Sequence, residues 1–254
     1  MALSFALLNA WVTTLALAVS MLIAGTLGFR QGRRLRDRGV GSAEGKFGDA
    51  SLALLGLLLA FTFAMALGKY DTRRAMLVTD TNAIGDFYTC VTLLPDPPRT
   101  ELQGILREYV ALRLDLARHP SAAAIRTALP RFQQMHHRMT DLVADALRGG
   151  TSIAVPLVNT LNAVTSSHTA RLAAVRDRLP PSIVGLLFLA AVVATALVGR
   201  QHGASPHPHA GGMLGYIVLV ALAVFVTMDL NQFSGSLIPV SQEPMERLLI
   251  SIGP

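Results

Sequence analysis

Acidic and amide side chains occur at helical spacing just after a long apolar stretch of this 254-residue chain. Asp80, Asn82 and Asp86 follow the apolar residues 50–68, and Asn82 and Asp86 lie one helical turn apart, so they share a face. Acidic groups favour cations over anions where they line an ion path. The alternative is hydrogen bonding between helices or between subunits, because buried polar groups are usually paired. Both interpretations are open at this point.

A fourth acidic residue, Asp229, closes a second apolar stretch, residues 213–228. A carboxylate at this depth in a membrane is costly unless it is paired. We expect an interface anchor or a salt bridge there, and a place in an ion pathway is the alternative. The available basic partners are Lys69, Arg178 and Arg200.

The chain shows none of the common enzyme motifs. It has no phosphate-binding loop, no Gly-x-Ser-x-Gly and no His-Glu-x-x-His. The single cysteine, Cys90, excludes an internal disulfide and a cysteine metal cluster. We therefore expect no catalytic residues, no metal site and no cofactor.

Four apolar stretches without charge must position these residues: 1–29, 50–68, 179–199 and 213–228. A helix needs about 20 apolar residues to cross a bilayer core of about 30 Å. Charged residues make up 15% of the chain, against about 25% in a soluble protein. The pattern predicts an all-α, polytopic membrane protein with four transmembrane helices. The net charge of +6 fits basic residues that anchor helix ends at anionic headgroups, so lipid is the expected partner and nucleic acid is not.

Residues 69–178 are polar but have helical periodicity, which predicts four amphipathic helices in an extramembrane helical bundle between the second and third spans. Ser121 and Ser152 are expected N-caps, and Gly149-Gly150 an expected helix end. The predicted domains are the first transmembrane pair (1–68), the helical domain (69–178), the second transmembrane pair (179–230) and a C-terminal segment (231–254). The first pair is joined by a basic linker at 30–49, whose glycines argue against a long helix. The C-terminal segment carries a short amphipathic helix, capped by Ser241, that lies at the membrane surface or packs on the bundle.

The second span has two distinct faces. Small residues recur every four positions and predict close packing against another span, because small side chains let helices approach in lipid: Gly56, Ala60, Ala64 and Gly68. The other face carries large apolar residues: Leu54, Leu58, Phe61 and Met65. These four are candidates for an apolar neck that gates a pore by dewetting. Lipid contact or core packing is the alternative for them.

The block of residues 56–97 resembles the bestrophin-like domain family of bacterial membrane proteins, and so does the ending of the chain. The matching features are an acidic-x-Asn-Ala segment, an aromatic pair, a Leu-Leu-Pro stop and, near the C-terminus, an acidic residue that closes the last span: Asp80, Asn82, Ala83; Phe87, Tyr88; Leu93–Pro95; Asp229, Gly235 and Val240-Ser241. True bestrophins are pentameric anion channels. The resemblance thus implies a homo-oligomer, with a pentamer as one option, that conducts ions.

The expected function is an oligomeric ion channel or ion-transport protein in the bacterial inner membrane. The main rival is a non-conducting sensor or scaffold that signals through its helical domain. Six basic residues in the first linker favour its placement in the cytoplasm, although the region 69–178 is flanked by six as well.

Overall fold

All regular elements of the described chain are helices. The structure is a computed structural model that describes residues 10–38, 45–205, 210–232 and 236–253. The helices are α1 (Ala10–Asp37), α2 (Gly45–Thr92), α3 (Pro98–Arg118), α4 (Ala122–Arg148), α5 (Ala154–Arg176), α6 (Pro181–Ala204), α7 (Ala210–Asn231) and α8 (Glu243–Ser251). Gly235, part of the resemblance described above, lies outside the described residues.

Four helical segments are long and apolar enough to cross a membrane: Ala10–Asp37, Phe47–Thr92, Ala154–Ala204 and Gly211–Asn231. The predicted all-α class and the four candidate spans are therefore confirmed for the described chain. The contacts divide the chain into two compact units. Unit 1 comprises residues 1–69 and 178–238, and unit 2 comprises residues 70–177 and 239–254.

Unit 1 is built around a crossing of α1 and α6 in which the two backbones touch. A Cβ atom placed on Gly28 would lie 2.1 Å from the carbonyl oxygen of Ala196, and one on Gly203 would lie 2.1 Å from that of Phe29. No residue larger than glycine fits there without moving the helices apart. Small residues allow this approach in lipid, where close packing replaces the hydrophobic drive for association. The crossing residues are Gly25, Gly28 and Gly32 on α1 with Gly199 and Gly203 on α6.

Helices α1 and α2 extend into the two ends of the linker predicted at residues 30–49. Residues 30–37 belong to α1 and residues 45–49 belong to α2. Gly32 is buried, and a Cβ atom there would lie 2.0 Å from the carbonyl oxygen of Arg200. This glycine serves the contact with α6 rather than a turn, which is why the helix runs through it. Residues 39–44 lie outside the described residues.

Two contacts connect α7 to the rest of unit 1, one to α1 and one to the start of α6. The ring of Trp11 on α1 lies 4.4 Å from the ring of Phe225 on α7, centroid to centroid. Asn231, at the end of α7, accepts a hydrogen bond of 2.8 Å from the backbone N–H of Leu179, just before α6. The end of α7 is thereby tied to the start of α6.

Unit 2 is a helical bundle made from the second half of α2 with α3, α4, α5 and α8. The amphipathic stripes predicted from the sequence meet in one apolar core that includes Phe87, Leu106, Met139 and Leu157. Met245 on α8 is also fully buried in this core. Of the two positions expected for the C-terminal helix, packing on the bundle is therefore the one observed.

Of the helix ends predicted in unit 2, those of α4 are observed, whereas the predicted N-caps of α5 and α8 are not. Ser121 caps α4 by accepting a hydrogen bond of 3.0 Å from the N–H of Ala124, and Gly149 ends the same helix, as predicted. Ser152 does not cap α5, whose N-cap residue is Ile153 without a side-chain hydrogen bond. The N-cap of α8 is Gln242 rather than Ser241.

Candidate functional site

Asp80 lies at the centre of a buried polar network in unit 2. Its side chain is fully buried on the inner side of α2. Its Oδ2 lies 2.9 Å from NH1 of Arg113 on α3 and 3.0 Å from NH1 of Arg171 on α5. Its Oδ1 accepts a hydrogen bond of 2.8 Å from the hydroxyl of Ser167 on α5. Three helices are thus joined through one carboxylate.

A tyrosine and two histidines extend this network to α4. The hydroxyl oxygen of Tyr109 lies 3.2 Å from Nε2 of His136 and 3.2 Å from Nδ1 of His168. The guanidinium of Arg113 contacts both the Tyr109 hydroxyl and, at 2.8 Å, Nδ1 of His168. Because arginine only donates, Nδ1 of His168 must accept, so the ring is neutral with its proton on Nε2. The Tyr109 hydroxyl then has His136 Nε2 as its acceptor.

The electrostatics of the network follow from burial next to two guanidinium groups. Burial lowers the pKa of His168 to about 4, and the nearby charge of Arg113 acts in the same direction. Burial also lowers the pKa of His136 and raises the pKa of Tyr109. Both rings and the phenol are therefore neutral near pH 7, and two guanidiniums face one carboxylate.

The network holds helices together more readily than it performs chemistry. Asp80 is 0% exposed and uses both of its oxygens, so it does not line a water-filled vestibule. Asn82 and Asp86 are exposed, on a different side of α2 from Asp80. Within the described residues, no group of three or more His, Cys, Asp or Glu side chains is arranged to hold a metal ion.

Asp229 has a local role at the end of α7. It is 2% exposed. Its Oδ1 accepts a hydrogen bond of 2.9 Å from the N–H of Leu237, and its Oδ2 accepts hydrogen bonds from the Ser236 hydroxyl and the Ile238 N–H. The carboxylate therefore folds the segment after α7 back on the helix end. The partners described for it are two backbone amides and the Ser236 hydroxyl, and its pairing with one of the three basic residues considered from the sequence stays a prediction.

The apolar part of α2 has the opposite character, because much of it faces away from its own chain. Leu54 is 55% exposed, Phe61 61% and Met65 39%, while Leu58 is half-buried. The small-residue face of Gly56, Ala60, Ala64 and Gly68 is exposed as well, and nothing lies within 4 Å of a Cβ atom placed on Gly56 or Gly68. Among the described residues, the backbone contacts at glycine positions are made between α1 and α6 instead. The predicted packing of the small-residue face stays a prediction that concerns contacts outside this chain.

Sequence reasoning found Asp80 but missed the residues around it. One signal was present: Arg113 continues the stripe of Leu102, Leu106 and Tyr109, where its charge must be buried. A charged residue on the apolar face of an amphipathic helix indicates a buried partner. The identity of the residue that Arg113 contacts depends on how four helices pack together, and the sequence of one helix does not determine that packing.

With this geometry established, comparison with known proteins decides the family. The model of the bestrophin-like domain matches residues 12–245. The chain belongs to the bestrophin-like family. No curated protein and no solved structure matches it. The match and the four apolar helices together make it a bestrophin-like, multi-pass membrane protein.

The residues that carried the resemblance have structural contacts in this bestrophin-like protein. Asp80 joins α2 to α3 and α5, and Phe87 is fully buried in the core of unit 2. The Tyr88 hydroxyl donates a hydrogen bond of 3.0 Å to the carbonyl oxygen of Ile252. Asp229 closes α7. Each of these contacts lies within one of the two units.

Proposed function

We propose that this bestrophin-like protein is a homo-oligomeric ion channel or ion-transport protein whose ion path is lined by α2. One observation carries the proposal. Of the 18-residue apolar stretch in the α2 span, 17% is buried within the chain. The corresponding share is 33%, 39% and 44% in the other three spans. The span with the least cover from its own chain is the one best placed to meet other copies or an axis between them.

A path at a symmetry axis suits the composition of the spans. The four spans carry no charged residue in their apolar segments, so a single copy encloses little polar path through the bilayer. Several copies that present α2 to a common axis would bring Phe61, Leu54 and Met65 together as an apolar constriction. Such a constriction gates by dewetting when it is narrow. Leu58, half-buried, would lie at its edge.

The small-residue face of α2 supports contact between copies. Gly56, Ala60, Ala64 and Gly68 leave a smooth, open surface on the exposed part of the helix. In lipid such surfaces favour close helix association. If the resemblance to bestrophins extends to assembly, the oligomer is a pentamer. In this proposal unit 2 lies outside the bilayer of the bacterial inner membrane, and the linker after α1 faces the cytoplasm.

The second candidate is a non-conducting sensor or scaffold. It is favoured by α2 itself, which is one helix of 48 residues with its apolar part in unit 1 and Asp80 in unit 2. A small shift of a continuous helix passes directly from one end to the other. This candidate predicts a protein partner and no conductance.

Flux through liposomes containing the purified protein separates the two candidates. The channel proposal predicts passive movement of chloride or potassium that is altered in Phe61→Ala and Met65→Ala. Leu189→Ala is the matched control, because Leu189 on α6 is 61% exposed, as Phe61 is. A well-folded oligomer without flux of either ion would favour the scaffold instead.

A further inference from the structure

We propose that the outward side of α1, near its C-terminal end, binds the phosphate groups of anionic phospholipids through Arg30, Arg33 and Arg34. The sequence assigns lipid as a partner to the basic residues as a whole. The structure selects three of them, because it fixes the rotation of α1 and the side of it that stays open. All three lie in unit 1, and lipid binding there does not require ion conduction.

The contact with α6 determines which side of α1 faces outward. Gly28 and Gly32 lie so close to α6 that a Cβ atom on either would be within 2.1 Å of one of its backbone oxygens. Successive residues of a helix are about 100° apart, so Arg30 lies opposite the midpoint of these two glycines. Arg33 and Arg34 lie within about 60° of Arg30. All three arginines are exposed.

The same side of α1 is apolar up to the arginines. Val12, Val19 and Ile23 lie about five, three and two helical turns before Arg30, and they are 51%, 46% and 55% exposed. Arg30 is the first charged side chain of the sequence. An exposed apolar stripe on a spanning helix faces hydrocarbon, and basic residues beyond its end lie at the level of the headgroups. A surface for acyl chains therefore leads directly into a surface for phosphate.

Among the described residues, no carboxylate lies within ion-pair distance of the three arginines. The neighbouring Arg36 differs, because its Nε lies 3.8 Å from Oδ1 of Asp37 and its NH1 donates a hydrogen bond of 2.9 Å to the carbonyl oxygen of Ser205. Asp37 is on the same side of α1 as Arg30, but about 10 Å further along the helix. The three guanidiniums therefore keep their donors for a phosphate group, which arginine binds through two parallel hydrogen bonds.

A phospholipid fits this surface better than a free phosphate ion does. Phospholipid phosphates lie at the level where the apolar stripe ends, and the acyl chains of the same molecule cover exposed side chains such as Val19 and Ile23. A free phosphate would gain only charge contacts, which salt screens at exposed guanidiniums. The occupant that fits both parts of the surface is therefore a phospholipid with a net negative charge.

A purely structural role for the arginines predicts a different pattern. Basic residues at the C-terminal end of a helix interact favourably with its macrodipole, and Arg34 and Arg36 lie in the last turn of α1. That effect depends on closeness to the helix end rather than on the side of the helix, and it falls off within one turn. Arg30 lies outside that range, so it distinguishes lipid binding from stabilisation of the helix end.

The expected effect of each arginine is about fivefold in lipid affinity, because a basic residue close to an anionic surface contributes about that factor. Loss of all three should weaken binding about a hundredfold where the contributions add. Phosphatidylcholine carries a phosphate but no net charge, so its binding should change much less.

The test is the affinity of the full-length protein in detergent for phosphatidylglycerol and for phosphatidylcholine with the same acyl chains, measured by native mass spectrometry over a lipid titration. We expect tighter binding of phosphatidylglycerol. Its affinity should fall about fivefold in Arg30→Gln and about a hundredfold in Arg30→Gln/Arg33→Gln/Arg34→Gln.

The matched control removes three exposed arginines from α4 in unit 2, and it should keep the affinity for phosphatidylglycerol: Arg126→Gln/Arg131→Gln/Arg138→Gln. An equal fall in the two triple variants would assign the effect to total charge and overturn the proposal. Equal affinity of the original protein for the two lipids would overturn it as well.

Two further measurements complete the test. Inorganic phosphate added at millimolar concentration should not displace phosphatidylglycerol, and displacement that depends on Arg30 would identify a site for free phosphate instead. The melting temperature without added lipid should stay close to the original in Arg30→Gln. If the triple variant does not fold, Arg30→Gln alone decides, and an unchanged affinity for phosphatidylglycerol in that variant overturns the proposal.

Discussion

Arg113 and Asp80 form a buried ion pair in which NH1 of the arginine lies 2.9 Å from Oδ2 of the aspartate, with side chains 6% and 0% exposed. Asp86 lies six residues further along the same helix and is exposed. The two aspartates therefore differ in burial while sharing residue type and helix. This difference makes them a matched pair for separating a structural role from a role at the surface.

Substitution Asp80→Asn should destabilise the protein strongly, because it leaves the guanidiniums of Arg113 and Arg171 buried without a negative partner. Breaking one side of a buried ion pair costs about 3–5 kcal/mol. The melting temperature in detergent, followed by circular dichroism, should fall clearly. Asp86→Asn should melt near the original protein, since exposed charges contribute about 0–1 kcal/mol. Similar melting temperatures for the two variants would contradict the assigned roles.

The neutral histidines of unit 2 predict a loss of stability in mild acid. The pKa of His168 is lowered to about 4 in the folded protein, while in the unfolded chain it is about 6.5. As pH falls between these values, the unfolded state takes up a proton that the folded state does not, so the free energy of unfolding decreases. Below the lower value this histidine causes no further loss.

Two histidine variants isolate that contribution. His168→Gln should make the melting temperature less dependent on pH between about 6.5 and 4. His137→Gln, at an exposed position of α4, should keep the original dependence. The explanation by burial is wrong if both variants follow the same curve as the original protein.

The crossing of α1 and α6 predicts opposite effects for one substitution at two glycines of the same helix. Gly203→Ala places a Cβ atom 2.1 Å from the carbonyl oxygen of Phe29, so the helices must separate. Overpacking of this kind costs about 1–3 kcal/mol or more. Gly185→Ala meets nothing within 4 Å and replaces glycine by a better helix former, which gains up to about 1 kcal/mol. The melting temperature of each variant in detergent tests this prediction. A higher melting temperature for Gly203→Ala than for Gly185→Ala would contradict it.

Much of unit 2 was predictable from local patterns, whereas its polar network was not. Periodicity and the cap at Ser121 indicate where helices begin and end, because these signals act within a few residues. Asp80 and Arg171 are 91 residues apart, and their contact exists only after α2 and α5 are packed together. No local rule sets the rotation of one helix against the other.

The glycines of α1 show why a correct local rule misled. Glycine usually weakens a helix, which favours a turn or linker near Gly28 and Gly32. In a membrane-spanning helix the same residue permits backbone contact with a neighbour. The spacing of Gly28 and Gly32 on α1, matched by Gly199 and Gly203 on α6, was a readable signal of that contact.

Assembly through α2 predicts that a large residue on its small-residue face breaks the oligomer without unfolding the chain. Ala64 is exposed, so Ala64→Phe places a large side chain on the outer surface of the chain, in the space that a second copy would occupy. The mass of the detergent complex, measured by light scattering after size exclusion, should fall. Gly185→Phe, at an open position of α6, should leave the mass unchanged. An intact oligomer in Ala64→Phe would place the interface elsewhere.

The central claim is that α2, among the described spans, faces the ion path, and thiol block of flux tests it most directly. Cysteine is introduced at Phe61 or at the equally exposed Leu189, in a background where Cys90 is replaced by alanine. A charged thiol reagent should change ion flux through liposomes containing Phe61→Cys and leave Leu189→Cys unaffected. Unchanged flux in a labelled Phe61→Cys protein, or equal block at both positions, would contradict the account.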